Sequence, residues 1–217
     1  METLVEDDVR FITTSLPKSV DDALRGQPGV FLAGGFIRAK IAHEEVSDID
    51  LFAASKMAAL TLIRRIANGA QVHETDNAFT YRQRGGLPVQ GIHRWVFDSP
   101  IECLKSFDFT IARAAVWWDG LVWKSACDPL FYPHLAAKRL VYCSPDRNED
   151  AGGSLLRLLK FYRRGYSAPL STTGAVIARL MRAVREDDPK WQGTEADRAA
   201  VLTGLLREVD PLLASRE

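Results

Sequence analysis

A glycine pair that ends one short apolar run, followed at loop distance by two aspartates in a second, constrains this chain more than anything else in it. Val30-Phe31-Leu32-Ala33 is wholly apolar and bounded by turn residues, so it reads as a buried strand. Gly34-Gly35 breaks that strand, and Phe36 to about His43 reads as a helix. Asp48-Ile49-Asp50-Leu51-Phe52 then alternates with the two-residue period of a strand, which puts Asp48 and Asp50 on the same face. Two carboxylates held close on rigid backbone repel each other unless a cation lies between them. Mg²⁺ suits such a pair, because it takes one or two carboxylates and keeps its other positions for water and phosphate oxygens. A strand that ends in glycines lets backbone N–H groups approach an anion, and the following helix offers its positive end. Asp48 and Asp50 are therefore the candidate metal ligands and catalytic residues, and Gly34, Gly35 and Arg38 the candidate phosphate-binding residues. Each part alone is ordinary; their order and spacing point to metal-assisted phosphoryl chemistry.

Strand and helix signals mix around this segment. Thr3-Leu4-Val5-Glu6 reads as a capping box opening a short helix to about Ser15, and Ser19 with Asp21 and Asp22 predicts a second one to Gly26. Residues 56–69 carry Met57, Leu60, Ile63 and Ile66 at helical spacing. Residues 70–74, 78–84 and 88–96 read as strands, with Gly85-Gly86 as a hairpin turn between the last two. Ser99-Pro100-Ile101-Glu102 is a capping box with proline at the first helical position. Residues 109–117 and 121–126 flank Asp119-Gly120 as another hairpin, rich in tryptophan. Beyond Pro145 the pattern is helical, over 154–164, 173–186 and 194–208. The expected fold class is α+β, with a mixed sheet and helices over residues 1–145 and a small all-helical domain over 146–217.

Composition narrows the class further. The chain is 47% hydrophobic and 26% charged, a globular balance. No apolar run is long enough to span a membrane, no basic-then-apolar leader opens the chain, and Cys103, Cys127 and Cys143 have no paired spacing. The expectation is a cytoplasmic protein with reduced thiols and no membrane partner. Net charge is zero, yet residues 151–185 hold Arg157, Lys160, Arg163, Arg164, Arg179, Arg182 and Arg185 and no acid. That is either a solvated helix face or a face for phosphates. Trp117 and Trp123 lie in the hairpin and are expected to pack; Glu44 and Glu45 are expected to be solvated.

In these motifs the sequence resembles the nucleotidyltransferase superfamily of DNA polymerase beta. Within it, the likeness is to the head and neck of class II tRNA nucleotidyltransferases and poly(A) polymerases. The opening motif there is Gly-Gly, a downstream Arg and Asp-x-Asp, which here reads Gly34-Gly35-Phe36-Ile37-Arg38 and Asp48-Ile49-Asp50. Asp108-Phe109-Thr110-Ile111 resembles the second motif, Asp128-Pro129 a later one, and Glu149-Asp150 the pair that helps read the incoming base. Arg157 to Tyr166 resembles the arginine-rich neck helix. The resemblance implies Mg²⁺-dependent transfer of a nucleoside monophosphate from ATP or CTP to an acceptor hydroxyl, in the first place an RNA 3′ end, as in tRNA processing. It also implies that Asp108, Asp150 and Arg157 join Gly34, Gly35 and Arg38 in binding the nucleotide.

The sequence departs from that pattern at several points. Ser106-Phe107 stands where two arginines precede Asp-Phe-Thr, Ala112 replaces an asparagine, and Gly153 replaces the arginine that follows Glu-Asp. Gln90 is the nearest match to the third catalytic carboxylate, and glutamine cannot take a proton or neutralise a metal. About fifty residues follow the neck-like helix, so no body and tail are expected. Two alternatives stay open: transfer to a small molecule or a protein, and a non-catalytic relative that binds nucleotide or RNA.

Overall fold

The computed structural model describes residues 1–143 and 151–207. It divides into two compact units, Met1–Ala136 and Ala137–Glu217. The division falls nine residues before the expected boundary at 145, because residues 138–142 bond forward into the second unit. Ser167 N donates to Lys138 O (2.8 Å), Leu140 N to Ser167 O (2.8 Å) and Tyr142 N to Thr172 Oγ1 (3.3 Å).

The first unit is a mixed sheet covered by helices. In chain order it contains α1 (Glu6–Thr14), α2 (Lys18–Gly26), β1 (Val30–Ala33), α3 (Gly35–Ile41), β2 (Ile49–Ala53) and α4 (Lys56–Ala67). There follow β3 (His73–Glu74), β4 (Ala78–Arg82), β5 (Pro88–Ile92), α5 (Pro100–Ser106), β6 (Ala114–Trp118), β7 (Trp123–Cys127) and α6 (Phe131–Ala136). The strand order is β3-β4-β5-β2-β1-β6-β7, with β2 and β5 parallel and the other neighbours antiparallel.

Each face of the sheet has its own layer. On one, Phe31, Ala33, Phe52 and Ala115 pack with Cys103 and Leu104 of α5, and the Phe52 ring meets Phe31 (5.8 Å) and Phe107 (5.9 Å). On the other, α4 buries Leu62, Ile63 and Ile66. Gly91 makes that approach possible, since a Cβ there would stand 2.7 Å from Ile63 Cγ1. Ser55 caps α4 by accepting from Ala58 N (3.1 Å), and Ser99 caps α5 by accepting from Glu102 N (3.3 Å).

Several local expectations fail for identifiable reasons. Thr3 does not cap α1: Leu4 N donates to Ser125 Oγ (3.1 Å) and Val5 N to Tyr132 Oη (3.0 Å), so Glu2 and Leu4 are held on β7 and Val5 on α6 before the helix begins. Residues 109–112 are not strand but lead into a 3₁₀ turn, Thr110–Ala112, and β6 starts only at Ala114. Of the strand expected at 70–74 only β3 forms, and α6 was not expected.

The second unit contains α7 (Ala151–Arg163), α8 (Leu170–Arg182) and α9 (Glu195–Arg207), with α7 packed against both others. Thr194 and Asp197 form a reciprocal cap at the start of α9. Arg179, counted in the basic face, is buried at 6% exposure; Lys160, Arg163 and Arg182 are exposed. No helix among the described residues is long and apolar enough to cross a membrane.

Candidate active site

The sheet register gathers the first motif at one end of the first unit. β1 and β2 run antiparallel with Leu32 opposite Leu51, so the end of β1 at Gly34 adjoins the start of β2 at Ile49. Asp48 immediately precedes β2 and Asp50 is its second residue; both are half-buried. Ser47 Oγ donates to Asp48 Oδ1 (2.9 Å). In the parallel pairing of β2 with β5, Asp50 stands directly beside Gln90, whose antiparallel partner on β4 is Thr80. Asp50, Gln90 and Thr80 thus form a row across the same face.

Gly34 supplies shape rather than a free donor. Its φ of 83° with ψ of −123° is closed to residues with a Cβ, and its N–H donates to Ala114 O (2.9 Å), tying β1 to β6. A Cβ at Gly34 would also stand 3.5 Å from the Phe107 ring. Gly35, the first residue of α3, is exposed and has nothing within 4 Å of where a Cβ would lie. It is the open member of the pair.

Arg38 is buried, with 4% of its side chain exposed, and pairs with Glu44. Glu44 was expected in solvent; at 15% exposure it is instead the inner anchor of the loop that leads to Asp48. This pairing joins α3 to the segment that delivers the aspartates.

Asp108 is 3% exposed and lies just before the 3₁₀ turn, which packs against α3. Two further residues hold this turn. Arg113 donates to Phe107 O (3.0 Å) and Lys105 O (3.2 Å) and pairs with Asp128 (3.6 Å), so the Asp128-Pro129 motif fastens the backbone around Asp108. His134 Nδ1 is 2.9 Å from the buried Thr110 Oγ1. Neither showed in the sequence, because both partnerships join segments separated along the chain.

Other expected residues lie elsewhere. Arg157 is on α7, in the second unit, and Asp150 with Glu149 falls outside the described residues. The His93 ring meets Phe79 at a tilt (4.5 Å) at the opposite end of β5, where an open cavity of about 500 Å³ is lined by Lys56, Glu74, Thr75, Asp76, His93 and Arg94. Trp117 packs on the core, while Trp118 and Trp123 meet edge to face (5.6 Å) beneath the Arg25 guanidinium.

The donor set fits Mg²⁺. Asp48 and Asp50 offer carboxylate oxygens and Gln90 an amide oxygen, all hard ligands. Among the described residues no group of three or more His, Cys, Asp or Glu side chains is poised to hold a metal, so an ion held by Asp48 and Asp50 would take its further oxygens from water or substrate.

A family model described as Gad2, Gabija anti-defense 2 family protein, matches residues 6–138, more than half of the chain. The chain belongs to the Gabija anti-defense 2 family. No curated protein matches it. Among solved structures, this family member is similar to the Thermotoga maritima CCA-adding enzyme complexed with tRNA, at 17% identity and a TM-score of 0.60 over 100% of this chain and 54% of that one. A CCA-adding enzyme complexed with ATP matches at 19% identity and a TM-score of 0.60, over 95% of this chain and 51% of that one. A tRNA nucleotidyltransferase complexed with a primer tRNA and an incoming ATP analog matches at 18% identity and a TM-score of 0.57, over 91% and 60%. The chain spans about half the length of these structures. The likeness is one of fold: this Gabija anti-defense 2 protein has a nucleotidyltransferase-type fold.

Proposed function

We propose that this protein is a Mg²⁺-dependent nucleotidyltransferase that acts against the Gabija defense by adding a nucleoside monophosphate from ATP or CTP to an acceptor hydroxyl, foremost an RNA 3′ end. The observation that carries the reading is Asp50 paired beside Gln90 on one sheet face, with Asp48 immediately before the same strand and the open Gly35 turn at the same end. In the transfer, the acceptor oxygen forms a bond to the α-phosphorus and the bond from that phosphorus to the β-bridging oxygen breaks. Pyrophosphate leaves, and the hydroxyl proton passes to solvent.

Asp48 and Asp50 would hold Mg²⁺, which when bound offsets phosphate charge and lowers the pKa of the attacking hydroxyl. Gly34 shapes the turn, and Gly35 with the first turn of α3 receives the β- and γ-phosphates. Arg38 acts through its pairing with Glu44, holding the aspartate loop and adding positive charge beneath the phosphates. Asp108 positions the nucleotide, and its backbone is held by Arg113 and Asp128. Gln90 orients the acceptor by hydrogen bonding and takes no proton, so transfer is slower than with a third carboxylate.

A second reading, transfer to a hydroxyl on a protein, is favoured by the family's anti-defense description, since a defense is disarmed directly by modifying one of its components. Incubation with α-labelled triphosphates, Mg²⁺, total RNA and cell protein separates the two. Label in RNA supports the first reading and label in a protein band the second. Binding of nucleotide without any label transfer would leave only the non-catalytic alternative.

A further inference from the structure

We propose that the β4–β5 hairpin is the acceptor-phosphate site, with Arg82 and Arg84 gripping the backbone of a single-stranded RNA 3′ end; this rests on the nucleotidyl-transfer reading above. Strand order sets the two sides of the site. β2, which carries Asp50, lies between β1 and β5, and β5 is followed by β4. The glycine turn is on the β1 side and the hairpin on the β5–β4 side, both at the same end of the sheet. In phosphoryl transfer the attacking and leaving oxygens stand roughly in line through phosphorus. With the leaving pyrophosphate on the glycine side, the attacking hydroxyl must arrive from the hairpin side.

The hairpin has the chemistry for a polyanion. Thr80 and Arg82 lie on one face of β4, and Thr80 belongs to the same row as Gln90 and Asp50, so Arg82 shares the face of Asp50. Arg82 is two strands from β2, about 10 Å at ordinary strand spacing. A terminal nucleotide with an arginine side chain bridges that span. Arg82, Gln83, Arg84, Gly85 and Gly86 are all exposed, and residues 77–97 contain no Asp or Glu. Among the described residues neither the Arg82 nor the Arg84 side chain makes an ion pair or a hydrogen bond. By contrast Arg10, Arg25, Arg38 and Arg113 each pair with a carboxylate. Two uncommitted guanidiniums beside a site for phosphate chemistry, with no acid to quench them, fit successive phosphates of a strand.

The test uses the full chain and a single-stranded RNA oligonucleotide with a free 3′-hydroxyl. The Arg82→Ala/Arg84→Ala variant should keep the wild-type melting temperature, because both side chains are exposed. Its RNA affinity should fall about tenfold, and its slope of log affinity against log salt should flatten by about 1.4, roughly 0.7 for each lost phosphate contact. Arg82→Lys/Arg84→Lys should retain most of that slope. In the transfer assay the double alanine variant should raise KM for RNA while KM for the triphosphate stays within about twofold. Unchanged RNA affinity and slope would overturn the proposal. So would an equal rise in triphosphate KM, which would put the arginines on the incoming nucleotide, or label passing only to protein with the variant fully active. If the wild type transfers nothing, the transfer reading fails while the binding measurement still decides whether the hairpin holds RNA.

Discussion

Asp50 and Gln90 are direct partners in the parallel pairing of β2 with β5, side by side on one face of the sheet. An amide beside a carboxylate can donate to it without adding charge. A second carboxylate at that place would repel Asp50 by about 1–3 kcal/mol, from Coulomb energies between surface and partly buried limits. Gln90→Asp should therefore lower the melting temperature by several degrees in metal-free buffer, and Mg²⁺ should restore it. With Mg²⁺ present, transfer should be several-fold faster than in wild type. A variant whose melting temperature ignores Mg²⁺ would show that no cation is held at this place.

Gly34 stands at φ 83° and ψ −123°, with the Phe107 ring 3.5 Å from where a Cβ would be. Gly34→Ala should cost about 1–3 kcal/mol of stability, whereas Gly35→Ala, with open space around it, should cost well under 1 kcal/mol. Urea unfolding of the two variants checks the contrast, and equal losses would contradict the assignment of strain to Gly34.

The Arg38–Glu44 pair couples α3 to the loop before Asp48. Removing one member of a buried pair costs up to about 3–5 kcal/mol. Glu44→Ala should lose about 3 kcal/mol, at the low end because Glu44 retains some exposure, and the loss should change little between low and moderate salt. Glu45→Ala, on an exposed neighbour, should be near neutral.

Burial pushes the Cys127 thiol up to about 11 from 9.0. The folded state thus keeps its proton at pH values where the unfolded chain has released it, and stability falls as pH rises from about 9 towards 11. Tyr132, raised by burial and by its hydrogen bond to Asp8, acts in the same direction at higher pH. Cys127→Ala should lessen the decline between pH 9 and 11, and an unchanged decline would remove the thiol from the account.

What was legible in the sequence was local. β1, the glycine turn, α3 and β2 stand close to where the apolar runs and the period of Asp48-Ile49-Asp50 placed them, because each is decided by neighbours within a few residues. Ser55 and Ser99 cap their helices as short-range polar groups do. The placement of Gln90 beside Asp50, the burial of Glu44 against Arg38 and the grip of Arg113 on the Asp108 segment depend on pairings between separate segments, which no local pattern encodes. Thr3 shows the same limit in reverse: its capping box is plausible locally and loses to hydrogen bonds that Leu4 and Val5 donate to Ser125 and Tyr132, over a hundred residues away. No local pattern marks the hairpin arginines either, because only the strand order places them across from the glycine turn.

The central claim is tested most directly by following label from α- and from γ-labelled ATP and CTP, with Mg²⁺ and RNA, in wild type, Asp48→Ala and Asp50→Ala. The account predicts label in RNA from the α position only, its loss in both variants by about a hundredfold or more, and melting temperatures in metal-free buffer that hold or rise as one of two repelling carboxylates is removed. Unchanged transfer in either variant, or label arriving from the γ position, would contradict it.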